Sequence, residues 1–154
     1  MKSYHIYRDA RGVHCQVKRT TLWRRSLTRL FGEAPGARDE AYDLIHVVIH
    51  SPDGFECGYG GSGPSDLALS ILADYFDARP SLIQRVWLGK VGDLPEAEYA
   101  LATHILRAYQ QFKVDFIAPT ILGRGEERII RDLDICDWQA SFWKQKQEQE
   151  RGSV

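Results

Sequence analysis

A chain of 154 residues, 44% apolar and 27% charged, is the size and make-up of one globular domain, which excludes disordered and fibrous classes. Its net charge of −1 is not that of a general nucleic-acid binder, and no stretch approaches the ~18 apolar residues of a membrane span. Cys15, Cys57 and Cys136 are odd in number, widely spaced and without a CxxC pair, so free thiols in a cytoplasmic protein are expected, without a signal peptide, disulfide framework or zinc ribbon.

The small net charge conceals an asymmetry. Residues 1–31 hold eight basic side chains against Asp9 alone, +7, and the remainder holds 12 basic and 20 acidic, −8. Such a split marks either a nucleic-acid face or two surfaces of one domain that attract each other.

In chain order, residues 3–8 and 12–18 are short, rich in Tyr, Ile and Val, and separated by Asp9-Ala10-Arg11-Gly12, which predicts a β-hairpin. Residues 20–31 space Leu22, Trp23, Leu27 and Leu30 as a short basic amphipathic helix would, and residues 32–39 read as a loop. Residues 42–50, YDLIHVVIH, predict the strongest strand, with Ile45, Val47 and Ile49 on one face and His46 and His50 on the other. Ser51-Pro52-Asp53-Gly54 is a turn signal, and Phe55-Glu56-Cys57 starts a return strand.

Gly58-Tyr59-Gly60-Gly61-Ser62-Gly63 follows, where the backbone adopts positive φ or approaches something closely. Pro64 suits the first turn of a helix, Ser62 or Gly63 its N-cap, and Asp66 is expected to face the unpaired amides of that turn. Leu67, Ala68, Ile71, Leu72, Tyr75 and Phe76 form an apolar stripe. Residues 81–90 suit helix or strand. Pro95 opens a helix to about Ile117, with Tyr99, Ala102, Leu106, Tyr109 and Phe116 on one face, broadened by Ile105 and Phe112. Residues 127–133 predict a strand, and residues 134–144 a short final helix anchored by Trp138, Phe142 and Trp143. The expected fold is α+β, an antiparallel sheet of about four strands with two main helices on one face, in one domain over 1–144 with a frayed tail over 145–154.

Several residues are candidates for chemistry. Gly58, Gly60 and Gly63 match the G-x-G-x-x-G spacing at a helix start, where amides hold a pyrophosphate in dinucleotide sites. The hairpin-connected strand before them and the nearby Asp66 argue for a tight strand-to-helix crossing instead, and no Lys-Ser/Thr pair follows as a P-loop requires. His46 and His50, on one face of a strand, stand about 13 Å apart, too far for one metal ion. His5 and His14 could oppose each other across the hairpin and supply only two ligands. Cys57, near a helix N-terminus that would lower its pKa, could pair with His50 as a nucleophile, with Glu56 beside it. Lys18, Arg19, Trp23, Arg24, Arg25 and Arg29 interleave cations with an aromatic, as a contact to nucleic acid or to another partner would. No cofactor or metal is expected.

The run from His50 to Leu69, HSPDGFECGYGGSGPSDLAL, resembles a family of small proteins of unknown function carried on bacterial plasmids, prophages and integrative elements. Tyr4-His5-Ile6-Tyr7-Arg8, Tyr109-Gln110-Gln111-Phe112-Lys113 and Ala118-Pro119 are similar to the same pattern in the same order, whereas residues 19–41 and about 80–97 are longer than in its compact members. The resemblance implies a mobile-element setting and carries no catalytic residues with it. With no converging acid, base and nucleophile, the leading expectation is a non-enzymatic accessory protein that binds another protein, for instance as an inhibitor of a host defence complex. Nucleic-acid binding through residues 18–29, and an enzyme or nucleotide site at Gly58–Gly63, stay open.

Overall fold

The computed structural model describes residues 1–20 and 40–152; the basic helix expected over 20–31 lies, from residue 21 on, outside the described residues. Strands β1 (Lys2–Asp9) and β2 (Gly12–Arg19) form the first hairpin. Beyond them come β3 (Glu40–Asp43), helices α1 (Ser62–Tyr75), α2 (Pro80–Trp87) and α3 (Glu96–Phe112), a π-helical turn (Lys113–Ile117), β4 (Glu127–Arg131) and helix α4 (Asp132–Gly152). The sheet is antiparallel in the order β3-β2-β1-β4. The fold is thus α+β, and among the described residues no helix is long and apolar enough to cross a membrane.

Alternation along β1 and β2 buries Tyr4, Ile6, Val13, Cys15 and Val17 on one face, and Ile130 of β4 joins them. Helix α1 lies in the core and is buried along most of its length, from Gly63 to Ala73, so the apolar stripe read from the sequence is only half of its buried surface. On α3 the buried residues are Ala102, Ile105, Ala108, Tyr109 and Phe112, while Tyr99 is exposed; the inward face is rotated from the expected one. Helix α4 is pinned where Trp138 meets Phe112, Phe116 and Phe142 ring to ring and donates Nε1–H to Asp115 at 2.8 Å. It begins at Asp132 and runs to Gly152, well past the last apolar anchor.

The strand expected over residues 42–50 is the main correction. Only Glu40–Asp43 joins the sheet, and beyond it the buried apolar residues are Leu44 and Val47, three apart, with Ile45 and Val48 exposed. A strand would bury every second residue. The segment leaves the sheet because its backbone bonds to side chains of α1 instead. Val47 N–H donates to Ser70 Oγ at 2.9 Å, and the N–H groups of Ile49, His50 and Ser51 all donate to the Asp66 carboxylate at 2.9–3.2 Å. One turn pair further along α1, Asp74 accepts the hydroxyls of Tyr4 and Tyr42 at 2.9 and 2.8 Å. Asp66, Ser70 and Asp74 are four apart and share one helix face. The expected return strand at 55–57 is likewise reduced to a single bridge between Phe55 and Val13.

Replacing Asp66 by Ala leaves three backbone donors without their acceptor, each costing about 1–3 kcal/mol where buried. Asp66→Ala is therefore expected to lower unfolding free energy by about 3 kcal/mol or more, and Ser70→Ala by about 1 kcal/mol, in urea titrations. Equal, small effects at the two positions would show that the segment is held by apolar packing alone.

Candidate functional site

The glycine turn sits where the segment descending from His50 crosses the π-helical turn and enters α1. Gly58 has φ +88°, and a Cβ there would lie 3.3 Å from the Thr120 carbonyl oxygen. Its N–H donates to the Ile117 carbonyl at 3.2 Å. A Cβ on Gly63 would come within 2.7 Å of Glu56 Cβ and 3.1 Å of its backbone nitrogen. On Gly61 it would strike the Tyr59 ring, and on Gly60 it would meet nothing within 4 Å. Small residues at 58 and 63 thus let backbone pass close to its neighbours, and Tyr59 and Gly60 face outward. Gly61 is the N-cap, one residue before the expected Ser62 or Gly63, with Pro64 inside the first turn. Asp66 does not face the first-turn amides; its carboxylate turns back to residues 46–51.

A residue that sequence reasoning passed over fastens this turn. Lys113, only 8% exposed, begins the π-helical turn. Its Nζ donates to the Gly60 carbonyl at 3.2 Å and to Ser65 Oγ at 3.1 Å, while Ser65 Oγ–H donates to the Gly61 carbonyl at 2.9 Å. The extra residue of a π-helical turn re-aims side chains, and here the Lys113 ammonium meets the Gly60 carbonyl directly and the Gly61 carbonyl through Ser65. The only sequence signal for this was the position of Lys113 at the end of the Tyr109–Lys113 motif.

The other candidates are dispersed. His50 Nε2 and the Tyr109 hydroxyl share a 2.9 Å hydrogen bond, and the two rings stack. His46 Nε2 lies 3.2 Å from Asp66, with Phe55 against its ring. Neither histidine is placed against Cys57. Burial pushes the Cys57 thiol up, only partly offset by the Arg8 guanidinium, contrary to the lowered value expected beside a helix start. Arg8 pairs with Glu56 at 2.6 Å, so Glu56 is engaged as well. His5 stands opposite Gln16 and His14 opposite Tyr7, not opposite each other; His5 bonds Glu127 at 2.6 Å and His14 bonds Asp9 at 3.0 Å. Lys18 and Arg19 end β2 exposed, with Arg19 3.8 Å from Asp77. Trp23, Arg24, Arg25 and Arg29 lie outside the described residues.

A second feature gathers at the other end of the same segment. Ile45 and Val48 are 65% and 41% exposed, and at the end of α2 Trp87 and Leu88 are 48% and 63% exposed. Gln84 Nε2–H donates to the Val48 carbonyl at 3.1 Å, and the Trp87 ring meets His50 edge-on at 5.1 Å. These two contacts tie the stretch at 48–50 to the end of α2, with Val48 and Trp87 both exposed.

Residues 23–85 match the model of a family of unknown function (DUF6166). The matched stretch spans β3, the segment laid along α1, the glycine turn, α1 and most of α2. No curated protein and no solved structure matches the chain.

Gly63→Ala is expected to destabilise the fold by about 1–3 kcal/mol, because Glu56 Cβ cannot retreat without moving its backbone, whereas Gly60→Ala should stay within about 0.5 kcal/mol. Thermal or urea unfolding of the two variants reads the difference. In the native protein a thiol reagent should modify exposed Cys136 rapidly and reach buried Cys15 and Cys57 only as the fold opens; fast labelling of Cys57 would mean that the glycine turn is far looser than its contacts imply.

Proposed function

We propose that this chain is a cytoplasmic, non-enzymatic protein-binding module, an accessory protein of a bacterial mobile element that acts by contacting a host or element protein such as a component of a defence complex. The mobile-element setting rests on the resemblance of residues 50–69. The binding role rests on exposed Val48, Trp87 and Leu88, taken as one apolar strip where the stretch at 48–50 meets the end of α2. An exposed tryptophan among aliphatic side chains, bordered by polar groups, is the composition of an interface hot spot. The polar side chains nearest to it support the same reading. His50 and Gln84 are already bonded to Tyr109 and to the Val48 carbonyl, so they border the strip with fixed polar groups.

A photo-reactive residue placed at Leu88 should give a discrete cross-linked adduct in producing cells, and one at exposed Lys144 on α4 should not. Trp87→Ala is expected to weaken capture of the adduct's partner by about 2 kcal/mol, roughly thirty-fold, with the unfolding midpoint unchanged. Equal adducts from both positions, or capture indifferent to Trp87, would sink the reading.

A further inference from the structure

The sheet has a free edge at β4, and its sequence is self-complementary. Met1 and Thr20 exchange both backbone hydrogen bonds, at 2.8 and 2.9 Å, so odd-numbered residues of β1 bond to β2 and even-numbered ones face β4. Lys2 conforms, its N–H reaching Asp132 Oδ2 at 2.9 Å. Tyr4 and Ile6 then bond Ile130 and Arg128, their partners in the ladder. The backbone groups of Glu127, Ile129 and Arg131 therefore point away from the sheet. Arg131 N–H conforms as well, being taken by Asp134 Oδ2 at 2.9 Å.

We propose that β4 pairs antiparallel with β4 of a second copy of this chain about a two-fold axis at Ile129, joining the two sheets into one. In that register Ile129 faces Ile129, and Glu127 of each copy faces Arg131 of the other. All three side chains lie on the sheet face opposite buried Ile130. Ile129 is 41% exposed, and Glu127, Arg128 and Arg131 are exposed, so among the described residues only the Asp134 cap on Arg131 touches the edge amides. Glu127 gives one carboxylate oxygen to His5 and keeps the other. Among the described residues the Arg131 guanidinium makes no ion pair. The pairing is isologous and closes on itself, with about four main-chain hydrogen bonds after allowance for the capped Arg131 N–H. The opposite edge does not suit the same use. Antiparallel self-pairing of β3, Glu40–Asp43, sets Glu40 against Asp43, acid against acid. Charged side chains on an edge can also serve to keep strands apart, and the sign pattern across the axis separates the two roles.

The test is sedimentation equilibrium of the full chain, wild type and variants, at loading up to about 100 µM, where even a weak dimer is populated. Wild type should be a dimer. Glu127→Arg and Arg131→Glu should each raise the dimer dissociation constant at least about tenfold by placing like charges opposite. The double variant carrying both changes should restore it to within about threefold of wild type, and circular dichroism should show all four folded alike. A wild type that stays monomeric, single reversals without effect, a double variant no better than the singles, or growth beyond dimer would each overturn the proposal.

Discussion

The arrangement depends on one row of acceptors, Asp66, Ser70 and Asp74, spaced four apart along a helix that is otherwise apolar and buried. A carboxylate in the core is costly unless hydrogen bonds replace its water. Asp66 meets that condition with three successive backbone N–H groups and the ring of His46. Asp74 meets it with two tyrosine hydroxyls and the Lys2 ammonium at 3.3 Å. The acceptors compete directly with the sheet for the segment after Asp43. Asp66 and Ser70 together accept the N–H groups of Val47, Ile49, His50 and Ser51, which a sheet would otherwise have to pair. Tyr4 and Tyr42 feel the same row from the sheet side, where burial, assisted by Asp74, pushes the Tyr42 hydroxyl up to about 12.

That competition places everything downstream. Because residues 44–51 run along α1, Ile45 and Val48 are exposed, and the stretch at 48–50 meets the end of α2 through Gln84 and Trp87. Because the segment then crosses the π-helical turn at Gly58 and passes Glu56 over Gly63, α1 must begin in a turn too tight for side chains at those two points. Lys113 closes that turn from the other side. The glycine turn is therefore a consequence of the acceptor row, and its spacing of three glycines reflects two close approaches and one position that nothing inside the fold constrains.

What could be read without coordinates follows from which signals are local. The first hairpin, the helix after Pro64 and the helix after Pro95 carry their own period and stop signals. The α+β class follows from them. The segment YDLIHVVIH misled because β-branched residues favour any extended backbone, in a sheet or out of it. Which acceptors its N–H groups would meet was decided by Asp66 and Ser70, some twenty residues away, and no local window contains that. Asp66 misled for the same reason, since an acid near a helix start ordinarily complements the dipole. Lys113 went unweighed because a buried lysine bonded to carbonyl and hydroxyl oxygens has no spacing signature. The strip at Val48 and Trp87 was hidden by the assumption of strand alternation, which assigned Val48 to the same face as two histidines.

Inside the fold, His46 and His50 each hold one partner through Nε2, Ser65 and Lys113 bond the glycine turn, and burial raises the Cys57 thiol. These contacts fix a shape. What the shape presents outward is of a different kind: exposed apolar side chains where α2 ends and, among the described residues, an open edge at β4 on which only the Arg131 N–H is capped. Both are suited to contact with protein, one through desolvated side chains and the other through backbone, and they use separate elements.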